Sequence, residues 1–164
     1  MRSPIRKSGK YTNLPDDPHV TAEKFAELQN TLDRLLQQRP PAAREVQRLA
    51  ALGDFSENAE YQMAKAKLRG INQRILETEN RLKHAVIIKA GDSAVVRLGS
   101  TVTLTFGNKK IAYQILGSSE TNPSHGVISH HSPIGAALLG HRVGDTINVA
   151  IGKKTTSYTI VAIF

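Results

Sequence analysis

The sequence predicts an α+β protein: an N-terminal antiparallel α-helical coiled-coil hairpin, followed by a small, mainly antiparallel β domain with one short helix. Three observations carry this. Apolar residues recur at alternating steps of three and four between Phe25 and Ala85, the repeat of a helical seam. That repeat is interrupted once, after Leu52-Gly53, where a turn joins two seams. Beyond Gly91 the apolar period changes to two, as in half-buried strands.

Residues 1–19 contain Arg2, Arg6, Lys7 and Lys10, several prolines and no periodic apolar pattern, and read as a basic, mobile, solvated extension. Thr21 is a candidate helix N-cap. The first seam is Phe25, Leu28, Leu32, Leu35, Arg39, Ala42, Val46 and Leu49, broken only by Arg39, and Pro40-Pro41 is expected to kink or locally break the helix. The second seam is Tyr61, Ala64, Leu68, Ile71, Ile75, Thr78, Leu82 and Ala85. Arms of about 30 residues would make a rod roughly 40–45 Å long with one exposed end.

In the second half Val102, Leu104 and Phe106 alternate with threonines, a Gly107-Asn108 turn follows, and Ile111, Tyr113 and Ile115 complete a β-hairpin. Further strands are expected near Val127-Ile128, Ile147 to Ile151 and Tyr158 to Ala162, with a short helix from Pro133 to Leu139. The domain reading is therefore 1–19 extension, 20–90 coiled coil and 91–164 β domain, with the junction near Lys89 to Asp92.

A net charge of +8 suits a polyanionic partner, RNA or DNA, or a nucleoprotein machine, because clustered Lys and Arg neutralise phosphates. Aromatic content of 5% without Trp argues against a sheet that stacks many bases. The absence of cysteine excludes disulfides, thiolate metal ligation and a thiol nucleophile. No apolar run approaches the roughly 20 residues that span a bilayer, and Met1-Arg2-Ser3-Pro4 lacks the apolar stretch of a secretory signal, so a cytoplasmic protein without a membrane partner is expected.

The chemistry concentrates at the turn of the rod, Leu52-Gly53-Asp54-Phe55-Ser56-Glu57-Asn58-Ala59-Glu60-Tyr61. Asp54 and Glu57, three residues apart at a helix start, can present both carboxylates on one side. The spacing fits a capping box equally, and both roles can coexist because a cap leaves carboxylate lone pairs unused. Two exposed carboxylates hold Mg²⁺ weakly, since Mg²⁺ keeps its waters and needs phosphate oxygens to complete its shell. Arg44, Arg48, Lys65, Lys67 and Arg69 lie near the tip on both arms, where they could meet RNA phosphates or serve as a solvated face. Phe55 could contact a partner or fold onto its own hairpin. His130-His131, His125 and His141 are not expected to bind metal, because adjacent strand residues point to opposite faces and no carboxylate has matching spacing. Ser132 lacks the surroundings of a catalytic serine and reads as a turn residue before Pro133.

LGDFSENAEYQMAKAKLR resembles the Gly-Asp-x-x-Glu-Asn-Ala-Glu-Tyr tip signature of the Gre transcript-cleavage factors, and SPIGAALLGHRVGD, Ser132 to Asp145, is similar to the second signature of that family. The resemblance covers about residues 20–164 and leaves the basic extension outside it. It implies a monomeric accessory factor, not itself an enzyme, whose rod enters the secondary channel of bacterial RNA polymerase. It also implies a second domain folded like the FK506-binding prolyl isomerases that docks at the channel rim. By position, Asp54 and Glu57 match the acidic residues that help hold a second catalytic Mg²⁺ shared with the polymerase, beside the nascent RNA 3′ end of a backtracked complex. Phe55 and Ser132, Pro133, Ile134 and Gly135 are then candidate partner contacts. The near-tip run from Tyr61 to Arg74 leans toward the GreB branch.

Three other readings compete. A related channel-binding regulator could modulate or inhibit polymerase without cleavage, against which the retained Asp54 and Glu57 argue. An autonomous prolyl isomerase would need an aromatic-lined pocket, but Phe106, Tyr113, Tyr158 and Phe164 are placed mostly in the core by alternation. A free-standing nuclease would need a complete metal cage, which the sequence does not supply.

Overall fold

The computed structural model describes residues 17–52, 59–89, 94–107, 109–151 and 154–164. The chain divides into two compact units, Pro18–Ala90 and a second comprising Gly91–Phe164 with Asp17.

The first unit holds α1 (Ala22–Ala50) and α2 (Ala59–His84), about 43 and 39 Å long at 1.5 Å per residue. Thr21 caps α1, its side-chain oxygen accepting from the Lys24 amide at 3.1 Å, as its sequence position suggests. Leu35 packs with Ile71 and Ile75, backed by Leu32 and Ala42. Farther along α1, Gln38, Pro41, Ala42 and Glu45 share a groove with Ala64 and Lys67. Numbers rise on one helix as they fall on the other, so the pair is antiparallel. Every residue of both seams is buried or half-buried except Arg39, which is exposed. Thr78 is tolerated in the second seam because its hydroxyl donates to the Arg74 carbonyl at 2.7 Å, leaving its methyl to pack.

Two expectations change here. Pro40 and Pro41 do not break α1, which runs through both. Both prolines and residues 36 and 37, whose carbonyls lose their helical donors, are exposed, so water can satisfy those carbonyls. Residues 17–19, which the sequence reading puts in the N-terminal extension, also take part in the fold. His19–Val20 form a strand (β1) that pairs in parallel with Val86–Ile87 (β2), and the Asp17 side chain is only 3% exposed. Two-residue strands carry no period, which is why the sequence gives no sign of them.

The second unit is a five-stranded sheet of β3 (Thr101–Phe106), β4 (Lys109–Leu116), β5 (Val127–Ser129), β6 (Thr146–Ile151) and β7 (Lys154–Ile163), in the order β5-β4-β3-β7-β6. All pairings are antiparallel except β4 with β5. Alternation places Val102, Leu104, Val149 and Ile160 in a core completed by Val96, Ile115, Ile128, Ile147 and Leu138 of the short helix α3 (Pro133–Leu138). Of the four aromatics expected mostly inside, only Tyr113 and Tyr158 pack on this core. Phe106 is 50% and Phe164 68% exposed, one at the end of β3 beside the Gly107 turn and the other at the last residue, where the sheet offers no cover. The Phe106 ring sits 5.6 Å from that of Tyr158.

Candidate functional site

Asp54, Phe55 and Glu57 lie outside the described residues, as does the Lys89–Asp92 junction beyond Lys89. The site is therefore built from its flanks. Leu52 ends the described part of the first arm, Ala59 opens α2, and Glu60 stands in the first turn of α2.

All five basic residues near the tip are exposed. Arg44 and Arg48 are one turn apart on α1, and Lys65 and Arg69 one turn apart on α2, so each pair shares a helix face. Lys67, two residues from Lys65, points elsewhere and lines the interhelical groove with Glu45. Arg48 donates two hydrogen bonds to the Glu45 carboxylate, at 2.9 and 2.8 Å. That contact holds the Glu45 carboxyl below its ordinary value and raises the Arg48 guanidinium, with Lys67 reinforcing the first effect and Glu60 the second. The Lys65 ammonium lies 5.8 Å from the Tyr61 ring centroid, within cation–π range. The flanks of the tip are thus predominantly cationic, with Glu45 pairing with one of the five cations, Arg48.

In the second unit Ser132 is the N-cap of α3, its Oγ accepting from the Gly135 amide at 3.0 Å, and Pro133 fills the first helical turn, where a missing N–H costs nothing. This is a cap as well as the turn expected before Pro133. Ile134 packs against the core and Gly135 is buried. A Cβ on Gly135 would stand 2.2 Å from the Ser129 carbonyl oxygen, so only glycine allows the helix to approach β5 this closely. Ile134 and Gly135, candidate partner contacts by sequence, therefore have inward-facing roles, and Pro133 is the exposed member of the group. Downstream, the Asp145 carboxylate accepts from the Arg142 amide at 2.7 Å and lies 3.2 Å from His141 Nδ1. The Arg142 amide, then the His141 contact, hold its carboxyl below the usual range. The second sequence signature thus folds as a helix cap followed by an acid-pinned turn.

The argument that His130 and His131 point apart also fails. They lie in the turn after β5, not within the strand, and their ring centroids are 3.8 Å apart. The carboxylate near them is Asp17, far away in sequence, which no local spacing could have disclosed.

A basic helical hairpin followed by a small, mainly antiparallel β unit describes a two-part α+β protein. The chain belongs to the GreA/GreB family of transcription elongation factors. Residues 19–87 match the N-terminal domain of that family and residues 91–164 the C-terminal domain. The GreA of Macrococcus caseolyticus is 40% identical over 136 residues, covering 80% of this chain and 86% of that protein. The GreA of Thermomicrobium roseum is 38% identical over 148 residues, covering 88% and 95%. Among solved structures, the GreA factor homolog 1 (Gfh1) of Thermus thermophilus is 31% identical, covers 89% of this chain and 97% of its own, and superposes with a TM-score of 0.41.

Proposed function

We propose that this chain is a cytoplasmic accessory factor that binds bacterial RNA polymerase as a monomer. Its hairpin tip enters the secondary channel and stimulates the polymerase's own Mg²⁺-dependent cleavage of backtracked RNA. The observation that supports this most directly is the string Gly53-Asp54-x-x-Glu57-Asn58-Ala59-Glu60-Tyr61, which follows α1 and runs into the first turn of α2 in a chain of this family. In the proposed mechanism, Asp54 and Glu57 contribute anionic oxygens to a second Mg²⁺ that would be shared with the polymerase. A weak tip site becomes effective beside a resident metal, because two ions together stabilise the attacking and leaving oxygens of a phosphodiester displacement. Arg44, Arg48, Lys65, Lys67 and Arg69 steer the extruded RNA 3′ end by phosphate contacts, and Phe55 and Pro133 touch the polymerase. Residues 91–164 supply docking. A lean toward GreB-like action on deeply backtracked complexes rests on the Tyr61–Arg74 run alone.

The second reading, a channel-binding regulator without cleavage, shares every feature except the use of the two carboxylates. A cleavage assay on a backtracked elongation complex, with and without the protein, separates them. Stimulated release of 3′ RNA fragments is expected. Binding without cleavage would install the regulator reading, and cleavage of free RNA would make the chain a nuclease.

A further inference from the structure

We propose that Asp17, His130 and His131 form a binding site for a borderline divalent transition-metal ion of the Zn²⁺ type. One carboxylate oxygen and one ring nitrogen from each histidine lie within 4.8 Å of one another. A tetrahedral Zn²⁺ with ligand bonds near 2.0–2.1 Å sets its ligand atoms roughly 3.4 Å apart, so closure requires side-chain shifts of about 1 Å. His131 is exposed and can make that movement by rotating its ring.

The other two groups are held in place. The Ser118 amide donates to Asp17 Oδ2 at 2.7 Å, which fixes the carboxylate. His130 is 15% exposed, and its Nδ1 lies 3.4 Å from both Asp17 Oδ2 and the Leu116 carbonyl. The 3.4 Å between Nδ1 and Asp17 Oδ2 is already the separation of two ligands on one tetrahedral ion. The turn is braced as well, since the His131 amide donates to Ser129 Oγ at 3.0 Å and Ser129 Oγ meets Ser118 Oγ at 2.9 Å.

The donor set chooses the ion. Two imidazoles and one carboxylate suit Zn²⁺, Co²⁺ or Ni²⁺, whereas Mg²⁺ and Ca²⁺ take oxygen ligands, and a chain without cysteine offers no thiolate to softer ions. Water would complete the shell on the exposed side of His131. The ion would tie Asp17, two residues before β1, to the turn between β5 and α3. It is distinct from the tip in both place and chemistry.

The test is calorimetric titration of the metal-free full chain with Zn²⁺ at pH 7.5, alongside Co²⁺ absorption spectroscopy to report nitrogen and oxygen ligation. One equivalent is expected to bind, and His130→Gln, His131→Gln and Asp17→Asn are each expected to weaken it at least tenfold. His141→Gln and the Asp54→Asn/Glu57→Gln double variant should stay within twofold of the parent. His131→Gln changes an exposed side chain, and an unaltered metal-free melting temperature confirms that its loss of binding is not a loss of fold. The proposal is overturned if no saturable binding occurs below about 1 mM Zn²⁺, or if His130→Gln/His131→Gln binds within twofold of the parent.

Discussion

The Arg48 guanidinium spans the Glu45 carboxylate one turn away on α1, Nε donating to Oε2 at 2.9 Å and a terminal nitrogen to Oε1 at 2.8 Å. A cation engaged in this way is only partly available to a phosphate, and the Lys67 charge acts on the same carboxylate. Glu45→Ala should therefore raise crosslinking of the hairpin arms to RNA in a backtracked complex by about twofold, the scale of one exposed intrahelical pair. Replacing Lys65, Lys67 and Arg69 together with Ala should do the reverse and flatten the salt dependence of the interaction, since fewer phosphate contacts release fewer counterions. Unchanged crosslinking in both variants would return these residues to a solvated face.

Gly135→Ala should destabilise the second unit by about 1–3 kcal/mol, the range for forcing extra volume into a packed site. The new methyl meets backbone, the Ser129 carbonyl at 2.2 Å, and cannot be relieved by a rotamer change. Ser132→Ala removes only the cap and should cost about 1 kcal/mol. Denaturant unfolding of the full chain measures both. Equal effects would mean that α3 can slide away from β5.

Asp145 gives a pH signature. Its folded carboxyl is lowered, first by the Arg142 amide and then by the His141 contact. A depressed acid stabilises the fold fully above its unfolded value, about 3.9, and loses that contribution as pH falls through the lower folded value. Melting temperatures of the parent and Asp145→Asn should therefore differ most above about pH 5 and converge toward pH 2–3. A constant gap across that range would mean that Asn accepts the Arg142 amide differently but that ionisation is irrelevant.

The seams show why some features were legible in the sequence and others were not. Phe25 to Leu49 and Tyr61 to Ala85 each impose burial every three or four residues, so local order suffices to read the helices. The strands from Thr101 to Ile163 are legible by alternation for the same reason. The parallel pairing of β4 with β5 and the β1–β2 pair depend on contacts between distant segments and leave no periodic trace. The same holds for the approach of Asp17 to His130. The inward role of Gly135 was hidden because a motif names residues without saying which face they occupy. At Pro40-Pro41 the helix continues without a break, because the affected turn is exposed and water can satisfy its carbonyls.

The two tip carboxylates allow the sharpest separation of structural from chemical roles. If Asp54 and Glu57 form a capping box, neutral amides serve nearly as well. Asn caps a helix about as well as Asp, and Gln can make the reciprocal bond at the third helical position. Asp54→Asn and Glu57→Gln should therefore change stability by roughly 1 kcal/mol or less. A second Mg²⁺ makes a different demand. Among phosphate oxygens it would need anionic ligands to offset its charge, so an amide would weaken the site although it preserves shape. Each variant should bind polymerase nearly normally yet lose at least tenfold in stimulated cleavage, a barrier increase of about 1.4 kcal/mol or more, with added Mg²⁺ restoring part of the loss. Cleavage kinetics across a Mg²⁺ titration, read beside a polymerase-binding assay, measure both terms. Wild-type cleavage rates in both variants would reduce the carboxylates to caps and remove the proposed mechanism.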